Sequence, residues 1–317
     1  MASGKYIGLV ILWLLSFLLL VLNVIMNVFA RDVQRESIGI FQLTVQFIHE
    51  QLYEINITPA NWTHWYLVAV GAWQLIWLLY GAGFICRKGV DNEPLMVAPE
   101  LISIPVYILY MFAIALNIGS LFLWDRLYSW QGLMFTGIQM ASLWTALGLS
   151  CWDLSKNLET LYNNGLEADS WLMRMFVHNG LAIYASYYTF YFFLELNMVI
   201  VYVSGYNSND ASTVCLMLLM FFVVVYFILD ISVLDHWLRY VFTPYISIAI
   251  IFGAIIERNW DAEWLQLYRN PTFVATALGV VCVFALTKIL IMSVKGAISP
   301  IKEGKSQESL IDEERHY

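Results

Sequence analysis

The sequence predicts an all-α, polytopic membrane protein with about eight transmembrane helices, and three observations support this fold class. Of its 317 residues, 60% are hydrophobic and only 13% are charged, whereas soluble domains contain about 45–50% apolar and about 25% charged residues. The apolar residues form runs of roughly 20 or more, which at about 1.5 Å per residue cross a hydrocarbon core of about 30 Å. Backbone groups in lipid must hydrogen-bond within their own segment, so we predict helices.

The first apolar run, residues 6–30, exceeds the 7–15 residue core of a secretory signal, and we predict that it is a retained helix. Seven further runs follow, separated by short polar links. In chain order the eight predicted spans are 6–30, 62–86, 99–124, 129–152, 172–203, 213–234, 237–257 and 272–295.

The distribution of basic residues predicts that both termini are cytoplasmic. Ten Lys and Arg residues fall on the cytoplasmic side in this orientation, against five on the outer side. Two N-glycosylation sequons, starting at Asn56 and Asn61, lie in the outer loop 31–61 and agree with it. We therefore predict a glycoprotein of the plasma membrane or a secretory-pathway membrane.

Several function classes find no support in the sequence. The formal charge is −8, and no basic patch with interleaved aromatic residues occurs, so nucleic acid is not a predicted partner. The four cysteines lack CxxC spacing and are predicted to be packing residues. No catalytic triad, HExxH or glycine-rich phosphate loop is present, so we predict no enzyme, no cofactor and no metal. An intramembrane hydrolase is the weakest alternative.

The outer loop 31–61 contains an amphipathic stretch. Ile38, Phe41, Val45 and Ile48 recur at spacings of 3, 4 and 3, which predicts a short helix lying over the bundle. Two interpretations stay open: a surface helix that anchors the loop, or a lid over an outer pocket.

The fifth span carries a carboxylate among tyrosines. Tyr184, Tyr188, Tyr191, Glu195 and Tyr202 follow spacings of 4, 3, 4 and 7, which places them on one helix face. A carboxylate in a span costs about 2.5–3.5 kcal/mol on insertion scales, so it faces protein or water. The alternatives are a structural hydrogen-bond network, ligand or ion handling, and an oligomer contact.

Other charged residues lie in the last three spans. Lys288 differs in predicted depth from Glu195, so we expect its side chain to extend to the cytoplasmic face. Asp230, Asp235 and His236 are expected to form helix caps and ion pairs near the inner ends of spans six and seven, because three or four converging metal ligands are not evident.

Amide side chains divide the predicted spans into two groups. They occur on spans one to five, where they commonly hydrogen-bond between helices, and are absent from spans six to eight. We therefore predict a five-helix unit at 1–205, a three-helix extension at 206–297 and a disordered tail at 298–317. The amides are Asn23, Asn27, Gln74, Asn117, Gln139 and Asn197.

Four tryptophans share one face of span two. Trp62 and Trp65 are expected at the outer membrane interface, where aromatic belts occur. Trp73 and Trp77 lie deeper, and a buried indole needs a partner for its N–H group. They either pack in the core or stack on a flat hydrophobic guest.

Three segments resemble one known family. The stretch RESIGIFQLTVQFIHEQLYEIN, followed by ITPANWTHWYLVAVGAWQLIWLLYG, resembles the loop and second helix of the tryptophan-rich sensory protein or translocator protein superfamily. FFLELN at 192–197 and FAIALN at 112–117 resemble its Leu-Asn signature. The resemblance covers residues 1–205 and implies a five-helix, often dimeric protein that binds porphyrins and sterols, with Pro59, Trp62, Trp65, Asn117 and Asn197 around a central pocket.

These observations lead to one predicted function and one alternative. The first is an oligomeric membrane protein that binds, translocates or senses a lipophilic or planar small molecule. The alternative is an oligomeric ion channel or proton-coupled transporter that uses the Tyr184–Glu195 face. The predicted ligand-binding or permeation residues are Trp73, Gln74, Trp77, Asn117, Tyr184, Tyr188, Tyr191, Glu195 and Asn197.

Overall fold

The protein is helical, and six of its helices are long and apolar enough to cross a membrane. The computed structural model describes residues 2–31, 39–260 and 269–298, and within these ranges no β-strand occurs. The predicted tail from 299 onwards lies outside the described residues. The six helices are α1 (Ala2–Phe29), α3 (Thr63–Cys86), α4 (Ile104–Asp125), α5 (Ser129–Asn163), α8 (Ser208–Ile231) and α11 (Arg269–Ile298).

Five shorter or more polar helices complete the bundle. They are α2 (Val45–Phe47), α6 (Glu167–Leu172), α7 (Asn179–Tyr202), α9 (Asp235–Leu238) and α10 (Thr243–Asn259). A π-helical segment, Met173–His178, joins α6 directly to α7. The predicted spans 172–203 and 237–257 correspond to α7 and α10, which are not among the six, so the count of eight stays a prediction.

Helix α7 lies at the centre of the bundle and contacts α3, α5, α8 and α10. All residues from 179 to 190 are buried. Because protein rather than lipid surrounds this helix, it tolerates polar residues that a lipid-facing helix would not. Helix α1 shows the opposite composition, with Ile7, Ile11, Leu14 and Leu18 exposed along one side.

Local sequence signals end and begin several helices. Helix α5 ends at Asn163, two residues before Gly165, whose φ of +70° is a backbone conformation that favours glycine near a helix C-terminus. The helix is longer than the predicted span, which stopped at 152. Asn207 caps α8 by accepting hydrogen bonds from the backbone N–H groups of Asn209 and Asp210.

The prediction that Lys288 reaches the cytoplasmic face is wrong. Its side chain is fully buried, and Nζ donates to Asp230 Oδ1 at 2.5 Å and to the Leu238 carbonyl at 3.1 Å. Tyr245 donates its hydroxyl hydrogen to Asp230 Oδ2 at 2.7 Å. An ammonium is accommodated here because a carboxylate and a carbonyl converge on it. The sequence-based prediction compared the membrane depth of Lys288 with that of Glu195 and with no other acidic residue.

Helices α8, α10 and α11 are therefore less apolar inside than predicted. They hold the Asp230–Lys288 ion pair, and the buried Asn270 amide on α11 accepts a hydrogen bond from Thr213 on α8 at 2.6 Å. Asp235 forms the predicted kind of ion pair near the helix ends, at 3.0 Å from Arg239 and 2.8 Å from Lys295. Helix α7 packs against both α8 and α10, and one continuous apolar core joins the two predicted units.

Candidate functional site

A cavity lies between α1, α4, α5 and α7, at the end of the bundle covered by the loop before α3. Its volume is about 50 Å³. One water fills about 10–15 Å³ by this measure, so the cavity holds roughly three to five waters. Its polar lining comes from four helices and includes Asn27, Asn117, Ser120, Thr136, Tyr188 and Glu195.

Glu195 is a buried carboxylate in this cavity. The side chain is 6% exposed, and Oε2 has no hydrogen-bond partner among the described residues. Thr136 and Trp124 border the cavity beside the carboxylate. A buried oxygen without a partner marks a position for water, a proton or a ligand group.

A wider vestibule adjoins the cavity and has a volume of about 270 Å³. The two share Arg31, Val45, His49 and Tyr191 as wall residues. The cavity and the vestibule therefore adjoin at these four residues. Burial and the nearby charge of Arg31 lower the pKa of His49 to about 4, so this ring is neutral at physiological pH.

The loop over the cavity forms a short helical segment. It consists of α2 and the π-helical turn Ile48–Leu52, and Ile48 is buried in the core. The predicted helix thus starts later than expected, at Val45. Phe41 is not helical and stacks on Phe122 at 4.9 Å, and Ile38 lies outside the described residues. Both Val45 and Ile48 line the cavity, as the lid interpretation requires.

Asp125 fixes the start of this lid. Its Oδ1 accepts hydrogen bonds from the backbone N–H groups of Gln42 and Leu43 at 2.6 and 2.7 Å. The carboxylate is buried, and Arg126 lies 3.2 Å from Oδ2. Charge-assisted hydrogen bonds of this kind are stronger than neutral ones. The end of α4 therefore holds the lid over the cavity.

The predicted tyrosine face divides into three environments. Tyr188 and Tyr191 line the cavity together with Glu195. Tyr184 lies one layer deeper, with its ring centroid 5.0 Å from that of Tyr188, and its hydroxyl has no hydrogen-bond partner among the described residues. Tyr202 lies outside the cavity and donates to the Glu54 carbonyl at 2.7 Å.

The deep tryptophans of α3 pack against α7 instead of lining this cavity. Trp77 is fully buried and contacts Tyr110 edge-on at 4.8 Å. Gln74 accepts a hydrogen bond from Trp77 Nε1 at 2.9 Å and donates to the Gly180 carbonyl at 2.8 Å. A Cβ atom at Gly180 would lie 3.0 Å from Trp73 and 3.2 Å from Trp77. These residues therefore form a tight α3–α7 contact.

The predicted amides connect helices. Asn117 donates to Asn23 Oδ1 at 2.7 Å, and Asn27 donates to the same oxygen at 3.1 Å, which ties α4 to α1 at the cavity wall. Asn197 donates to Ser212 Oγ at 2.8 Å and ties α7 to α8. Asn117 is thus a cavity residue, whereas Asn197 is not part of the cavity lining.

Among the tryptophans predicted at the membrane interface and the two sequon asparagines, Asn61 lines the vestibule. Trp62 donates to Glu257 at 2.5 Å, and Trp65 is 67% exposed. Asn56 hydrogen-bonds Asn209, while Asn61 is exposed and accepts from Arg258. Their glycosylation stays a prediction.

Sequence reasoning missed the entrance. Arg31 and His49 come from the end of α1 and from the lid, so only the folded chain brings them to Glu195. Ser120 and Thr136 face each other at 3.2 Å across α4 and α5. In the sequence, neither residue can be distinguished from other serine and threonine residues in helices. Only the positions of Arg31 and Asp125 at the outer helix ends hinted at a role.

No group of three or more potential metal ligands converges in the described part of the chain. All four cysteines are free thiols, with Cys86 and Cys282 exposed. Comparison with known proteins found no matching family, no matching curated protein and no matching solved structure. The interpretation of the site therefore depends on its own geometry.

Proposed function

We propose that this chain is a multi-pass membrane protein with eight spanning helices and cytoplasmic termini, which binds a small molecule that reaches Glu195 from the outer side. The six long apolar helices and the distribution of basic residues support this arrangement. In it the lid and the vestibule face outward.

The unpartnered carboxylate of Glu195 is the observation that carries the proposal. Burying a polar group without a hydrogen-bond partner costs about 1–3 kcal/mol in protein mutational data, and a carboxylate costs more. A structural role would satisfy both oxygens with protein partners, as those of Asp169 and Asp230 are satisfied. Glu195 Oε2 has no such partner among the described residues, and Glu195 lines the cavity that adjoins the vestibule.

The size and walls of the cavity favour a small guest over a sterol or a tetrapyrrole. Three to five waters occupy about 90–150 Å³ in the liquid at about 30 Å³ each. Trp73 and Trp77, which would stack on a planar guest, pack on Gly180 instead. The resemblance to the translocator superfamily supports a ligand-binding bundle, and our proposal keeps that role with a smaller ligand.

Cysteine modification tests the proposed access route. We take a variant without the four native cysteines, introduce Ser120→Cys and reconstitute it in liposomes. A membrane-impermeant methanethiosulfonate added outside is expected to label the thiol, because Ser120 lines the cavity that adjoins the vestibule. Labelling is quantified by mass spectrometry on outward-oriented protein.

Ser16→Cys is the matched control, since Ser16 is fully buried on α1 and bonds only its own helix. It is expected to stay unlabelled in the folded protein. If the thiol at 120 also stays unlabelled, or reacts only with reagent enclosed in the liposome, the outward-facing binding site is wrong.

Loss of the Asp125 carboxylate is expected to open the lid. Asp125→Ala removes two charge-assisted hydrogen bonds, each worth about 1.5–3 kcal/mol. We expect the labelling rate of the thiol at 120 to rise at least about tenfold, which corresponds to about 1.4 kcal/mol. Asp210→Ala, at an exposed ion pair with Arg269, is the control and leaves the rate unchanged. An unchanged rate in Asp125→Ala would show that the lid does not limit access.

A further inference from the structure

The cavity contains two opposite charges that are not paired with each other. Arg31 lies where the cavity meets the vestibule, and Glu195 lies in the cavity wall. Arg31 Nε and Glu195 Oε2 are both buried, and neither has a hydrogen-bond partner among the described residues. Each atom therefore lacks a counter-charge among the described residues, which a ligand group of the opposite charge would supply.

The other ionisable groups along this route leave that charge pattern intact. Glu50 and Arg258 neutralise each other across 2.8 Å in the vestibule. His49 is neutral at physiological pH, for the reason given above. His64 contacts the Asn61 carbonyl at the vestibule wall and does not line the inner cavity. Among the described residues that line the two spaces, Arg31 and Glu195 thus remain to meet a guest.

Aromatic rings line the space between the two charges. Trp124, Tyr187, Tyr188 and Tyr191 belong to the cavity lining, and the Tyr187 and Tyr191 rings lie 4.5 Å apart. Aromatic faces attract ammonium groups, and quaternary ammonium ligands are commonly bound in such surroundings. The negative charge of Glu195 also attracts an ammonium group.

We propose that the ligand is a small zwitterion, with its ammonium group beside Glu195 and the aromatic rings and its carboxylate towards Arg31. Betaines and small amino acids belong to this class, and their volume fits a cavity of three to five waters. This inference rests on the proposed function, because it assigns the ligand of the same site.

Ligand protection of the thiol at 120 tests the inference. Glycine betaine and glycine are the zwitterionic probes, and choline and acetate carry one charge each. In liposomes, glycine betaine is expected to slow labelling at least about tenfold, which corresponds to a free-energy difference of about 1.4 kcal/mol. Choline and acetate at the same concentration are expected to slow it less than about twofold, since each leaves one buried charge uncompensated.

Charge-removing variants assign the two ends of the ligand. Arg31→Gln is expected to reduce protection by glycine betaine to the level of choline, and Glu195→Gln to the level of acetate. Arg31→Lys keeps a positive charge and retains part of the protection. The controls Arg269→Gln and Glu54→Gln remove exposed charges outside the cavity lining and leave protection unchanged.

The outcomes separate this inference from the proposed function. If the thiol is labelled from outside but neither zwitterion protects it better than the singly charged analogues, the zwitterion is wrong and the outward-facing site stands. Equal protection of the thiol at 120 with and without the Arg31→Gln substitution would also overturn it. If no reagent reaches the thiol, the proposed function itself fails.

Discussion

Lys288→Met is expected to lower the free energy of unfolding by about 3–5 kcal/mol, the usual cost of removing one partner from a buried ion pair. The variant leaves the Asp230 carboxylate without its ammonium partner among α8, α10 and α11, where only Tyr245 still donates to it. Unfolding in mixed detergent and SDS micelles, followed by tryptophan fluorescence, measures the change.

A second substitution separates the ion pair from the packing of the side chain. Asp230→Asn in the Lys288→Met background removes the uncompensated charge and keeps an oxygen that accepts from Tyr245. We expect the double variant to recover at least about 2 kcal/mol, because replacing a buried pair by neutral groups is often nearly neutral. Lys295→Met is the control, since the Lys295 side chain is 41% exposed and its loss is expected to cost less than about 1 kcal/mol. No recovery in the double variant would show that Lys288 acts through packing alone.

The fold class follows from the sequence because length and apolar composition determine which segments fit a bilayer. This reasoning identified α1, α3, α4, α5, α8 and α11. It is weaker for α7, which is surrounded by protein and therefore carries Glu195 and several tyrosines. It is also weaker for α10, whose 17 residues reach only about 25 Å at about 1.5 Å per residue.

Part of the candidate site was predictable from the apolar composition of the spans. A carboxylate within an apolar span is costly, so its position in the sequence was enough to select Glu195 as a candidate site residue. The spacing along α7 also placed Tyr188 and Tyr191 beside it. Helical spacing carries no information about which other helix faces this surface, so Arg31 and His49 were not associated with Glu195.

The partners of Lys288 and of the deep tryptophans could not be predicted, for a common physical reason. The Lys288 prediction was wrong and both interpretations of the tryptophans stayed open, because depth and residue type alone do not identify a partner. In the fold, Lys288 meets Asp230, and the α3 indoles meet a glycine on α7 that allows close approach. Buried polar groups and large rings depend on a specific neighbour, which is a tertiary property.

Asn179 is a residue that the sequence did not single out, although it connects α7 to α10. Its buried Nδ2 donates to the carbonyls of Arg174 and Tyr240, both at 2.8 Å. Its Oδ1 accepts from the backbone N–H groups of Phe242 and Thr243 at 3.1 and 3.3 Å. These N–H groups begin α10 and have no partner within their own helix. One amide side chain thus supplies the cap of a neighbouring helix.

Asn179→Ala is expected to lower the free energy of unfolding by about 3 kcal/mol, because it leaves buried donors and acceptors unpaired at about 1–3 kcal/mol for each unsatisfied group. Asn164→Ala provides the matched control: Asn164 is exposed and donates only to the Thr160 carbonyl of its own helix, so its loss is expected to cost less than about 0.5 kcal/mol. A cost for Asn179→Ala as small as that of the control would show that α10 is held by its apolar contacts with α7 and α11 and not by this cap.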